Sequence, residues 1–267
     1  EQHTMRVLFI GNSHTYFNDM PALFAAFCRR SSVDTEVTML SHSGQSLEWH
    51  RKEYFESRFN ILHGHYDICV LQQHAHPFPD PEETSKTVGE LIALCRAAGT
   101  RPALLMTWAE KEHPEQQAIM TEVYQKMAAE HDALLIPVGQ VWDTIRREHP
   151  EIEMYWTDGK HASVYGSYLV AATAYAALTG KNAKALPATA ADFSLPEGLD
   201  LDHPQLRETA DVFLEVREDW CRAPRLAGCD APEIWQEMFR RIPSPYFGLN
   251  YDPSHFVWQM MDYIAPI

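Results

Sequence analysis

The chain has 267 residues, of which 45% are hydrophobic and 22% charged, and its formal net charge is −15. This composition is that of a globular protein with a sizeable core, and it excludes disorder over most of the chain. The acidic charge argues against nucleic acid and anionic membrane surfaces as partners, because both are bound by clustered Lys and Arg.

Short apolar runs alternate with longer helical patterns, which predicts a parallel sheet covered by helices. The predicted strands are Arg6–Ile10, Glu36–Leu40, Tyr66–Leu71, Ala103–Thr107 and Leu134–Val138. The predicted helices begin near Asp19 and then lie at about Leu47–Phe59, Glu82–Ala98, Pro114–Glu130, Val141–Arg147 and Val164–Leu178. We therefore expect a three-layer α/β/α sandwich with a five-stranded parallel sheet, whose ligands bind at the carboxyl ends of the strands.

The composition changes after Lys181, where Ala, Pro and Asp become frequent. We predict one domain over residues 1–225 and a C-terminal extension over residues 226–267. A helix is expected at about Pro204–Trp220 and a strand at Tyr246–Tyr251.

The cysteines are five in number and show no CxxC spacing. An odd, scattered set predicts reduced and mostly buried thiols rather than a disulfide framework, and we expect a cytoplasmic protein.

Two short motifs carry residues suited to hydrolysis. Ser13, in Gly11-Asn12-Ser13-His14-Thr15, follows the first predicted strand, where a turn into a helix can expose its hydroxyl. His161 could take a proton from that hydroxyl, and Asp158 could accept the other imidazole N–H. Taken singly, each motif is equally typical of turn and helix-capping residues.

Two further loops should lie at the same edge of the sheet. Gly44 follows the second strand and allows a close backbone approach for an N–H donor. Gln72 and Gln73 end the third strand, where a side-chain amide could donate to the same anion.

Together these motifs resemble the SGNH, or GDSL-like, hydrolase family over about residues 5–180. The resemblance implies that Ser13 is the nucleophile, that His161 is general base and then acid, and that Asp158 orients His161. It also implies an oxyanion hole formed by the backbone N–H groups of Ser13 and Gly44. No cofactor and no metal is implied.

The chain departs from the family pattern twice. Asn12 stands where the family usually has Asp, and Leu71-Gln72-Gln73-His74 stands where it usually has Gly-x-Asn-Asp. The Asn of that block completes the family's oxyanion hole, so we expect Gln72, or else Gln73, to replace it. The implied activity is that of a serine esterase acting on a small acyl ester, with acylated carbohydrates as the candidate substrates. The alternative is a non-catalytic carbohydrate- or metabolite-binding module with the same fold.

The end of the chain carries a second resemblance. Residues 242–259 resemble part of the xylose-isomerase-like sugar isomerase/epimerase family, in which an Asp-Pro-Ser-His segment gives two ligands to a divalent metal. Asp252 and His255 match those ligands, but a complete barrel needs about 250 residues. We interpret the segment as a fragment that packs on the hydrolase or forms a homo-oligomer contact. A metal-dependent isomerase is the remaining alternative.

Overall fold

The structure, a computed structural model, describes residues 3–183, 194–195 and 199–200. The chain divides into two units, Glu1–Gly198 and Leu199–Ile267, and everything described below belongs to the first unit except Leu199–Asp200. Several predictions lie outside the described residues: the helix and strand of the tail, the domain boundary at residue 225, and the isomerase-like segment with Asp252 and His255.

The predicted five-stranded parallel sheet is confirmed, with the strand order β2-β1-β3-β4-β5. Its strands are β1 (Met5–Gly11), β2 (Thr35–Ser41), β3 (Ile68–Leu71), β4 (Arg101–Leu105) and β5 (Leu134–Ile136). Two short strands follow, β6 (Ser194–Leu195) and β7 (Leu199–Asp200).

The described helices are α1 (Ser13–Tyr16), α2 (Met20–Arg30), α3 (Leu47–Lys52), α4 (Phe55–His63), α5 (Pro81–Ala97), α6 (Gln116–Glu130), α7 (Val138–Glu148) and α8 (Val164–Thr179). A 3₁₀ turn at Phe17–Asp19 joins α1 to α2. The single helix predicted at Leu47–Phe59 is in fact two, because Tyr54 has non-helical backbone angles (φ −103°, ψ 89°). In the part of the chain that is described, none of the helices has the length and apolar character to cross a membrane.

Alternate residues of β1 enter the core on opposite faces of the sheet, as in a sheet covered on both sides. Leu8 and Ile10 belong to a buried cluster on one face, whereas Phe9 meets Phe24 of α2 with ring centroids 5.5 Å apart. Helix α2 in turn packs against α8. The first cluster includes residues of α3, α4, α5 and α6, namely Leu47, Ile61, Leu91 and Tyr124.

The strand order places a topological switch point between β1 and β3. The chain leaves β1 for β2 on one side and then crosses to β3 on the other side. The loops that follow β1 and β3 therefore diverge, and open α/β sheets bind their ligands in the crevice that this creates. Ser13 lies immediately after β1, at this crevice.

His50 of α3 fastens this end of β1 to the helical layer. Its ring is fully buried, with Nε2 2.7 Å from the Gly11 carbonyl oxygen and Nδ1 2.7 Å from Ser57 Oγ. Because a carbonyl can only accept, Nε2 carries the proton and Nδ1 accepts from the Ser57 hydroxyl. Burial lowers the pKa of His50 to about 4, although the hydrogen bond to Gly11 acts in the opposite direction.

We predict that His50 makes the fold sensitive to acid. Below pH 6.5, the ordinary pKa of histidine, the unfolded chain binds a proton at this residue while the folded chain does not. The free energy of unfolding therefore decreases as the pH is lowered. Between pH 7 and pH 5 the loss from this one residue is about 2 kcal/mol.

Urea unfolding of wild type and His50→Gln at both pH values measures this loss, because Gln does not titrate. The variant should lose less stability than wild type on acidification, and His113→Gln on the exposed surface serves as the matched control. Equal pH dependence in wild type and His50→Gln would contradict the prediction.

Candidate active site

The fold brings together Ser13, Asp158 and His161. Ser13 Oγ lies 2.7 Å from His161 Nε2, and His161 Nδ1 lies 2.5 Å from Asp158 Oδ2. An ionised carboxylate can only accept, so Nδ1 carries the proton and Nε2 is left to accept from the Ser13 hydroxyl. This is the tautomer that a general base needs in order to deprotonate Ser13.

Asp158 is held in its ionised form. Desolvation acts to raise its pKa, but the hydrogen bonds from the His161 ring and from the backbone N–H groups of Lys160 and His161 outweigh it, so the pKa lies well below 3.8. Both N–H groups donate to Oδ1 at 2.9 Å, which leaves Oδ2 for the ring. Because Asp158 and His161 are three residues apart, the backbone of their own loop orients the carboxylate towards the His161 ring.

The turn that presents Ser13 is built by Asn12, which caps α1. Asn12 Oδ1 accepts the His14 N–H at 3.0 Å, and Asn12 Nδ2 donates to the carbonyl of Gln45 at 3.0 Å. Asn12 therefore connects the Ser13 turn to the loop that contains Gly44. An Asp could cap the helix equally well but could not donate to Gln45, which explains the Asn at this position.

The Gln72 side chain lies beneath the Ser13 turn. Its Oε1 accepts the Asn12 N–H at 2.9 Å and the Thr15 hydroxyl at 2.8 Å, while Nε2 donates to the Gln73 carbonyl at 2.6 Å. Gly11 leaves room for this amide, because a Cβ there would come within 2.4 Å of Gln72 Oε1. The geometry gives Gln72 a supporting hydrogen-bond role.

Gln73 is likewise engaged within the protein. Its Oε1 accepts the N–H groups of Leu47 and His74, and its Nε2 donates to Glu48 and to Thr84. The expectation that Gln72 or Gln73 completes an oxyanion hole stays a prediction, and these hydrogen bonds give it no support.

The two backbone N–H groups that the sequence led us to expect in an oxyanion hole remain available as donors to an anion. Those of Ser13 and Gly44 have no hydrogen-bond acceptor in the part of the chain that the structure describes. Gly44 has a φ of +70°, which favours glycine, and an added Cβ there would meet no atom within 4 Å. Glycine is therefore favoured at this position by the backbone conformation and not by a lack of space for a side chain.

The loop that carries Asp158 and His161 is fastened on two sides by residues that the sequence motifs did not reveal. Fully buried Trp108, just after β4, donates from Nε1 to the Lys160 carbonyl at 2.9 Å. Asn18 donates from Nδ2 to the Ala162 carbonyl at 3.1 Å. No local signal marks these roles, because the partners lie 52 and 144 positions away.

His14 is a buried neighbour of the site. Its ring centroid lies 5.0 Å from that of His161 and 4.9 Å from that of His76, and neither of its ring nitrogens has a partner within the described residues. Burial, together with the neighbouring histidines, lowers the pKa of His14 well below 6.5. His14 is therefore neutral near pH 7 and places no positive charge beside His161.

Comparison with known proteins finds the same fold in solved hydrolases. No family model and no curated protein sequence matches the chain. It is similar to an acetyl xylan esterase, AlAXEase, with a TM-score of 0.55 and 16% identity over 65% of this chain and 100% of that one. It is also similar to a GDSL-like lipase from Parabacteroides merdae (TM-score 0.54; 15% identity; 67% and 97%). A DUF4886 family protein from Bacteroides uniformis matches over more of the chain (TM-score 0.54; 21% identity; 79% and 93%). The chain therefore shares its fold with these solved structures, which include a GDSL-like lipase and an esterase.

We predict that Asn12→Asp destabilises the protein at pH 8. The change removes the donor to Gln45 and places a buried carboxylate against a carbonyl, which should cost about 1–3 kcal/mol. Urea unfolding measures the loss. Asn60→Asp is the matched control, because Asn60 Nδ2 also donates to a carbonyl, that of Glu56 at 3.0 Å, but on the surface. Equal losses in the two variants would contradict the bridging role of Asn12.

Proposed function

We propose that the chain is a serine esterase that hydrolyses small acyl esters through an acyl-serine intermediate. The observation that carries the proposal is the 2.7 Å contact between Ser13 Oγ and His161 Nε2, with Asp158 on the other ring nitrogen. A serine hydroxyl is a weak nucleophile, and an adjacent base oriented by a third group is the usual means of activating it.

In the first step His161 Nε2 takes the proton from Ser13 as Oγ attacks the ester carbonyl carbon. The imidazolium that forms is stabilised by the ionised Asp158 carboxylate. As the tetrahedral intermediate collapses, the bond to the alcohol oxygen breaks and His161 returns the proton to that oxygen. The alcohol leaves, and the acyl group remains on Ser13.

In the second step the same residues act on water. His161 removes a proton from a water molecule that attacks the acyl carbon, and it then gives this proton to Ser13 Oγ as the acyl bond breaks. The products are a carboxylic acid and the free enzyme, so the cycle needs no cofactor.

The negative charge that develops on the carbonyl oxygen in both steps requires donors. The N–H groups of Ser13 and Gly44 are the candidates, and the open space around Gly44 is consistent with substrate approaching there. Asn12 keeps the two donors in one arrangement through its hydrogen bond to the carbonyl of Gln45.

Acylated carbohydrates are the substrate class we propose. The support comes from similar structures whose names describe an acetyl xylan esterase and an acetyl-xylooligosaccharide esterase. We also propose a cytoplasmic location, since Cys28, Cys69 and Cys95 are free, buried thiols.

We expect wild type to hydrolyse p-nitrophenyl acetate and Ser13→Ala to lose at least about a thousandfold in kcat/KM, because the nucleophile is removed. Ser43→Ala, in the exposed loop beside Gly44, is the matched control and should retain activity. Labelling with a fluorophosphonate, mapped by mass spectrometry, should modify Ser13 alone. Turnover that is unchanged in Ser13→Ala, or absent from wild type on a broad panel of acyl esters, would overturn the proposal in favour of a binding module.

Asp158→Asn should lower kcat by about 10²–10⁴-fold with little change in KM. The amide can donate to Nδ1, which stabilises the tautomer whose Nε2 carries the proton and cannot accept one from Ser13. Asp143→Asn, which removes a surface carboxylate paired with Arg147, serves as the control in the same assay. Equal kcat values for the two variants would show that Asp158 does not orient His161.

A further inference from the structure

The ring of His161 is stacked against a phenylalanine. Phe17 and His161 have ring centroids 4.2 Å apart and planes within 14° of parallel, which places the imidazole over the aromatic face. His14 contacts the same imidazole at 5.0 Å with a tilt of 31°. The sequence motifs gave no sign of the Phe17 contact, because the two residues are far apart in the chain.

The backbone of Phe17 is tied to the nucleophile and to the base. Its N–H donates to the carbonyl of Ser13, four residues earlier, and its own carbonyl accepts the Ser167 hydroxyl at 3.0 Å. Next to it, Asn18 donates to the carbonyl of Ala162, which directly follows His161. One short turn therefore presents Ser13 and also supports the ring of its base.

Stacking of this kind favours the charged form of the imidazole. The face of an aromatic ring is negative, and a cation centred over it within about 6 Å is attracted to it. In the proposed cycle His161 becomes positively charged only while it holds a proton, taken from Ser13 in the first step and from water in the second. An interaction that strengthens in that state accelerates the reaction, whereas one that is equal in both states does not.

The other titratable groups around His161 do not oppose this charge. Asp158 is ionised and hydrogen-bonded to Nδ1. His14 and His76 are neutral near pH 7, because burial lowers the pKa of each. Lys160, on the same loop, is paired with Glu110, with Nζ 3.5 Å from Oε1.

We propose that Phe17 is a positioning residue that holds the His161 ring in line with Ser13 and stabilises its protonated form during acyl transfer. The inference rests on the proposed esterase function for its kinetic consequence. The stack itself can be tested without turnover.

The experiment compares Phe17→Leu, which keeps an apolar side chain of somewhat smaller volume but removes the aromatic face, with Phe17→Trp, which keeps an aromatic face. On p-nitrophenyl acetate, Phe17→Leu should lower kcat by about threefold to tenfold with KM nearly unchanged. Its acidic pH–rate limb should move to lower pH by several tenths of a unit, since the protonated ring has lost stabilisation. Phe17→Trp should keep kcat and the pH–rate limb closer to those of wild type. Phe59→Leu, on the exposed face of α4, is the control.

Titration of the His161 ring protons by NMR gives the readout that does not depend on activity. The pH midpoint of the chemical-shift change should be lower in Phe17→Leu than in wild type, and in Phe17→Trp it should lie closer to wild type. If wild type hydrolyses no ester but the midpoint shifts as expected, the esterase proposal fails while the stacking inference holds. If Phe17→Leu and Phe17→Trp share one midpoint and one pH–rate profile, Phe17 acts only by filling space and the inference is overturned.

Discussion

The hydrogen bond between Ser13 Oγ and His161 Nε2 is the contact on which the site depends, because it joins residues 148 positions apart. Ser13 is presented by the turn that follows β1, which is an interior strand of the sheet. His161 is presented by the loop before α8. Nothing local to either segment brings these groups together. Their distance is set by the sheet, by the Asn18 and Trp108 anchors of the His161 loop, and by the packing of α8 against α2.

Neutral polar groups hold the backbone around this contact. His50 binds the Gly11 carbonyl, Gln72 accepts the Asn12 N–H, and Asn12 reaches the carbonyl of Gln45. An amide or a neutral imidazole can donate and accept at once, whereas a buried carboxylate only accepts and costs desolvation. Asn12 and Gln72, at which the sequence departs from the pattern of the family it resembles, thus belong to one network that supports the Ser13 turn.

Local patterns predicted the parallel sheet and the loops that carry the candidate residues, since buried strands and amphipathic helices leave signals over neighbouring positions. They predicted less well where partners are distant. The helix expected at Leu47–Phe59 is broken at Tyr54. Gln72 and Gln73 were correctly expected at the edge of the sheet, but their amide partners come from other loops and helices.

The amino-acid sequence alone therefore determined the order of strands and helices along the chain and the residue types available after each strand, because hydrophobic period and turn chemistry act over a few positions. Only the tertiary structure decided which of those residues touch. Phe17 stacks on His161, and Trp108 is buried as an anchor for Lys160. Such contacts depend on the order of the strands within the sheet and on the angles between packed elements, and these are properties of the whole fold that no short segment encodes.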